Sequence, residues 1–205
     1  MQFDPDYSED SPSPVGAGDG EGRIAWCITG SGHYLNESLA LCERLPDVDV
    51  YISAAGEEVL AMYGLPLETL RQRGLRLFRD KTASAIPVGL LYERVYHTVI
   101  IAPATSNTVA KCALGIADTL PTNLFAQAGK RAIPSLVFAC DTEPVVVTKS
   151  PTEWFEVRPR AIDLAHAEAL RRFEYCTVVG TVEQLEAALA QRLAELGLAW
   201  NISSS

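Results

Sequence analysis

Three short stretches of this chain carry side chains whose types and spacing suit a small anionic ligand. They are Gly30-Ser31-Gly32-His33, the lone hydroxyl of Ser53, and Ala104-Thr105-Ser106-Asn107-Thr108 behind Pro103. Each follows an apolar run: Ile24 to Thr29, Val48 to Ile52, and Thr98 to Ala102. A buried strand that runs into a helix start leaves backbone N–H groups pointing outward, and hydroxyl or amide side chains add donors there without negative charge. That donor set suits a phosphate. Turn and capping chemistry uses the same residue types, so no single segment settles the question.

His33 stands at the first of these helix starts, where the helix dipole disfavours the imidazolium and holds the ring neutral. It is placed to touch a ligand or relay a proton. His97, at the start of a strand, and His166, in a polar helix, read as structural. The dinucleotide fingerprint fails at two points: Leu35 occupies its third glycine, and the second strand ends at Ser53 instead of an acid. Asp49 has a comparable spacing but lies near the start of its strand, at the wrong end of a sheet. NAD is therefore disfavoured.

The elements that must position these residues alternate along the chain. Helical periodicity follows the first turn (Leu35, Leu39, Leu41, Cys42, Leu45), and Glu57 to Tyr63 follows the second. Leu75 to Phe78 reads as a third strand, Arg79 to Ser84 as a polar loop, and Pro87 to Arg94 as a helix. Ser106 to Leu114 reads as helix, Gly115 to Thr122 as loop, Asn123 to Ala128 as a short helix and Ile133 to Ala139 as a buried strand. Residues 140 to 160 read as irregular, with Pro144, Pro151 and Pro159. A helix over Ile162 to Phe173, a strand over Tyr175 to Val179 and a Thr181-capped helix over Val182 to Leu196 complete the chain. This alternation predicts a single α/β domain: a three-layer αβα, Rossmann-like or flavodoxin-like parallel sheet.

With 205 residues, 48% of them hydrophobic, the chain can bury one substantial core. Of the 26 acidic residues, six fall in residues 1–22, which hold no Lys or Arg and many Ser, Pro and Gly. That stretch is expected to be a disordered acidic tail, with the folded domain over 23–200. Without the tail, 20 acids face 17 bases, which leaves no basic footprint for nucleic acid. No run matches a membrane span and no secretory signal is evident, so a cytoplasmic location is expected. Cys27, Cys42, Cys112, Cys140 and Cys176 are odd in number and scattered, so neither a disulfide framework nor a metal site is expected.

Pro103-Ala104-Thr105-Ser106-Asn107-Thr108 resembles the PASANT motif of the flavin-containing cysteine decarboxylase superfamily, with Thr105 for Ser and Ser106 for Ala. Gly115-Ile116-Ala117-Asp118-Thr119-Leu120 resembles its GIADNL motif, with Thr119 for Asn. The resemblance implies FMN as cofactor, bound across a subunit interface of a trimer, with four trimers forming a dodecamer. It places Gly30, Ser31 and Ser53 at the phosphate and ribitol end. It places Thr105, Asn107, Asp118 and Thr119 near the ribitol and ring, with Ala104 and Ser106 in the same turn.

Two departures separate the chain from the decarboxylases. Their catalytic His falls at Gly89, and their substrate-clamping PxMNxxMW motif is replaced by Cys140-Asp141-Thr142-Glu143-Pro144. Decarboxylation would lack its acid/base partner and its substrate anchor. The Ile28 to His33 turn, the Pro103 to Asn123 block and Pro159-Arg160-Ala161-Ile162-Asp163 are similar to archaeal-type dihydromethanopterin reductases. That similarity implies an FMN-dependent enzyme reducing dihydromethanopterin, a dihydropterin, to tetrahydromethanopterin, with an electron donor of unknown identity. The alternatives are a decarboxylase or prenyltransferase of the same superfamily, and a flavin-binding electron carrier without a substrate.

Overall fold

The apolar runs become strands because their side chains are covered on both faces, the environment that favours parallel pairing. In the computed structural model, which describes residues 22–81, 86–93 and 95–198, six strands form one parallel sheet. They are β1 (Arg23–Ile28), β2 (Val48–Ile52), β3 (Arg76–Arg79), β4 (Tyr96–Ala104), β5 (Ser135–Ala139) and β8 (Cys176–Val179). Their order is β3-β2-β1-β4-β5-β8, and all five neighbouring pairs are parallel. The order reverses between β1 and β4. That switch point, at the carboxyl ends of the strands, is where an open α/β sheet parts its loops into a crevice.

Alternate residues of each strand feed two cores. Trp26 and Ile28 of β1 pack with Leu35 and Leu39 of α1 (Leu35–Cys42), Leu60 of α2 (Ala54–Met62) and Leu70 of α3 (Leu67–Gln72). Leu185, Leu189 and Leu193 of α7 (Val182–Glu195) complete that face. Ala25 and Cys27 face the other way. That side meets Val109 of α4 (Ser106–Ala113), Leu124 of α5 (Leu120–Lys130), Leu170 of α6 (Ala161–Leu170) and Leu91 of a 3-10 helix (Ile86–Leu91). The three-layer αβα arrangement predicted from the alternation is the one observed.

Local boundaries differ where the signals were ambiguous. The short helix expected over Asn123 to Ala128 runs from Leu120 to Lys130, because Thr119 and Thr122 form a reciprocal capping box and Pro121 sits in the first turn, where no N–H is needed. Where a helix was expected over Pro87 to Arg94, a 3-10 helix spans Ile86–Leu91 and Arg94 lies outside the described residues; α3 was unforeseen. The stretch expected to be irregular contains an antiparallel hairpin, β6 (Val146–Lys149) and β7 (Trp154–Val157). Its apolar residues are largely exposed, so no alternation marks it. Thr181 caps α7 as expected. The expected acidic tail, apart from Gly22, Thr82 to Ser84 of the polar loop, and residues 199–200 of the expected domain lie outside the described residues.

Candidate functional site

The switch point is tied together by one threonine. Thr29, buried just beyond β1, donates its Oγ1 hydrogen to Pro103 O at 2.6 Å and accepts from Thr105 N–H at 3.0 Å. Trp26 Nε1 adds a bond to Ala102 O at 2.9 Å. These bonds hold the β1 and β4 exits side by side, so their loops are placed before any ligand arrives. Gly30 completes the floor. A Cβ there would stand 2.7 Å from Ala55 Cβ, so only glycine lets the turn lie against α2.

Above this floor opens a cavity of about 670 Å³. One wall is the start of α4, where Thr105 Oγ1 caps the helix by accepting from Thr108 N–H and Asn107 is exposed beside it. Ser106 Oγ donates to Asp141 Oδ2, joining the exits of β4 and β5. Behind Asp141, the buried Cys140 thiol donates to Ser31 Oγ at 3.1 Å. Burial pushes that thiol up to about 12, against the opposing pull of the Ser31 bond, so it remains a neutral donor. Ser31 Oγ in turn donates to His33 O.

His33 is half-buried, and its Nε2 is buried without a hydrogen-bond partner among the described residues. Burial lowers its pKa, while the charges of Asp141 and Glu37 oppose the shift. The direction is the one expected from the sequence, but the chief cause is desolvation. The helix begins only at Leu35, behind Tyr34 in the left-handed region. The His33 ring lies 3.7 Å from that of Tyr34, which stacks on Phe138 at 4.7 Å.

The β6–β7 hairpin forms the outer wall. Tyr63 OH, at the end of α2, donates to Lys149 O at 2.8 Å and fastens the hairpin across the opening. Gly32 makes room for this fastening, since a Cβ there would fall 2.0 Å from the Tyr63 hydroxyl. Val59, Met62, Phe155 and Val157 give the cavity an apolar side. At its far edge Arg160 grips Asp163 through Nε and Nη2, at 2.9 and 2.7 Å, and holds that carboxyl below its usual range.

Of the residues singled out in the sequence, Gly30, Ser31, His33, Thr105, Ser106 and Asn107 line this cavity together. Ala104 is fully buried in β4 just beneath it. Ser53 is not in the lining; its Oγ caps α2 by accepting from Gly56 N–H at 3.0 Å. Asp118 and Thr119 are also outside. Asp118 pairs with Lys111 Nζ at 2.8 Å, and Thr119 caps α5. Sequence reasoning missed Asp141, Tyr63 and the hairpin. Only Asp141 carried a signal, as an acid directly after a buried strand. Among the described residues no cluster of His, Cys, Asp and Glu could hold a metal ion, and no helix is long and apolar enough to cross a membrane.

Comparison with known proteins places this architecture. The chain is 42% identical over 142 residues to a dihydromethanopterin reductase (acceptor) of Methanocaldococcus jannaschii, and 39% identical over 141 residues to one of Methanosarcina mazei. Each alignment takes in 63% of this chain and 58% or 59% of the relative, so the chain spans under two thirds of the length of these curated relatives. Burkholderia xenovorans DmrB, solved in complex with FMN and described as a cubic protein cage for redox transfer, is 61% identical. It superposes with a TM-score of 0.82 over 88% of this chain and 99% of its own. The Flavoprotein family model matches residues 13–197. This chain belongs to the Flavoprotein family.

Proposed function

We propose that the chain is an FMN-dependent oxidoreductase that reduces dihydromethanopterin, a dihydropterin, to tetrahydromethanopterin. The observation that carries this reading is the cavity at the β1/β4 switch point, which joins helix-start donors to an apolar wall. FMN has a dianionic phosphate, a polyol and a flat ring, and needs those features in one place. A volume of about 670 Å³ suits such a ligand. His33 Nε2, buried in the cavity lining without a partner among the described residues, can take a hydrogen bond from or to such a ligand.

In this reading Gly30, Ser31 and Ser53 hold the phosphate and ribitol end. Ser53 accepts from Gly56 N–H, and its own O–H has no acceptor among the described residues, so it can donate to a phosphate oxygen. Ala104, Thr105, Ser106 and Asn107 frame the ribitol and ring. When bound, FMN supplies two-electron hydride chemistry. The chain orients the partners and excludes water behind the hairpin, and His33, a hydroxyl or solvent supplies any proton to the substrate nitrogen.

The reading includes assembly of several copies, as trimers that build a larger cage. Asp118 and Thr119, outside this cavity, would then meet the flavin of a neighbouring copy. Leu114 and Ile116, 63% and 44% exposed beside them, supply apolar surface for such a contact. The same assignment leaves the electron donor as a separate reduced partner.

The test is anaerobic. Photoreduced, FMN-loaded protein mixed with dihydromethanopterin should reoxidise stoichiometrically, followed by flavin absorbance. Absence of reoxidation with every dihydropterin tried would reject the reductase and leave a flavin carrier.

A further inference from the structure

The Cys140-Asp141 segment follows β5 directly and brings a carboxylate into the lining of the cavity. Its position is set on two sides. Cys140 Sγ donates to Ser31 Oγ at 3.1 Å, and Ser106 Oγ donates to Asp141 Oδ2. Asp141 Oδ1 has no partner among the described residues. The other lining carboxylate, Asp163, is already taken by the Arg160 guanidinium and by Arg160 N–H at 2.9 Å. Of the two lining carboxylates, Asp141 is therefore the one with unused acceptor capacity, since a carboxylate has about four lone-pair sites.

This arrangement selects against acids and for N–H donors. A substrate carboxylate would meet like charge at Asp141, whereas a group presenting two adjacent N–H bonds would meet two parallel oxygens. The 2-amino-4-oxopyrimidine edge of a pterin presents such a pair, its ring N3–H and its exocyclic amine. We infer that Asp141 is the specificity-determining residue that reads the aminopyrimidinone edge of the pterin, with Ser106 fixing the carboxylate's orientation. The inference rests on the dihydropterin reading above. It adds the part of the pterin that is recognised and the residue that recognises it.

The test uses the FMN-loaded, oxidised protein and two probes of one shape: 6-methylpterin, and 6-methyllumazine, whose 2-oxo group replaces the amine. Binding is followed by quenching of probe fluorescence, without turnover. Wild type should bind the pterin about 10- to 100-fold more tightly than the lumazine, the range expected for hydrogen bonds to a charged group. D141N should reduce that ratio to within about threefold, and D141E should keep its direction.

A wild-type protein without preference for the pterin would overturn the inference with no variant needed. An unchanged ratio in D141N would overturn it while leaving the reductase reading intact. FMN loss from D141N with the ratio preserved after saturation would make Asp141 a flavin contact instead. Failure of wild type to bind either probe would remove both the inference and the dihydropterin reading.

Discussion

The two ends of the central sheet both carry polar side chains in a buried setting, and they are finished differently. At the amino ends of the strands, Asp49 is fully buried and paired through both oxygens, while Arg23 Nε and Arg76 Nε beside it are buried without a partner among the described residues. Asp49 Oδ1 accepts from Arg23 Nη2 at 2.7 Å, and Asp49 Oδ2 accepts from Arg76 Nη2 and from Tyr96 OH, the latter at 2.6 Å. Tyr96 OH is in turn 2.8 Å from Tyr51 OH. At the carboxyl ends, His33 Nε2, the Ser53 O–H and Asp141 Oδ1 have no partner among the described residues. A carboxylate paired through both oxygens specifies structure, whereas spare donors and acceptors around an open cavity are poised for a ligand.

The largest effect should come from breaking the Asp49 cluster at the amino end. D49N leaves Arg23 and Arg76 without their carboxylate in a partly buried setting and should cost about 3 kcal/mol in urea denaturation, with FMN affinity per folded molecule unchanged. Next comes the open end. S53D keeps a good helix cap but buries a carboxylate, so it should cost about 1–2 kcal/mol of stability, and flavin affinity is compared per folded molecule. Its new charge against the phosphate should cost about 100-fold in FMN affinity, read as flavin content after dialysis. Normal flavin content in that variant would refute the phosphate assignment.

T29V probes the joint between the regions. It removes the hydroxyl that bridges Pro103 O and Thr105 N–H, and should lose about 1–2 kcal/mol of stability together with some flavin affinity. Smaller still is the acid sensitivity of the two shifted histidines. Burial lowers the pKa of His33, and burial with the nearby Arg192 charge takes His97 to about 4. The folded state then binds fewer protons than the unfolded one, so stability is full above about pH 6.5 and falls as pH drops toward 4. H97Q should flatten that fall more than H33Q, because Asp141 and Glu37 counter the shift at His33.

The strand ends were legible in the sequence because a parallel, doubly covered strand is a continuous apolar run, and its first polar residues mark the exit. Gly30, Thr105 and Asn107 were found that way. The hairpin was not legible, because Val147, Trp154 and Phe155 are exposed and bury no alternating face within the chain. Tyr63 and Asp141 were missed for another reason: each reaches the site through a contact distant in sequence, to Lys149 and to Ser106. Asp49 was correctly set aside by its position in the strand, although its partners Arg23, Arg76 and Tyr96 could be named only from the fold.

The central claim is that the cavity at the carboxyl ends of the strands is a cofactor site. It is tested most directly by titrating flavin-stripped protein with FMN and following the quenching of flavin fluorescence. The account predicts saturable binding of one FMN per chain, weakened in S53D and unaffected in folded D49N. A protein that remains colourless and leaves FMN fluorescence unchanged would contradict it.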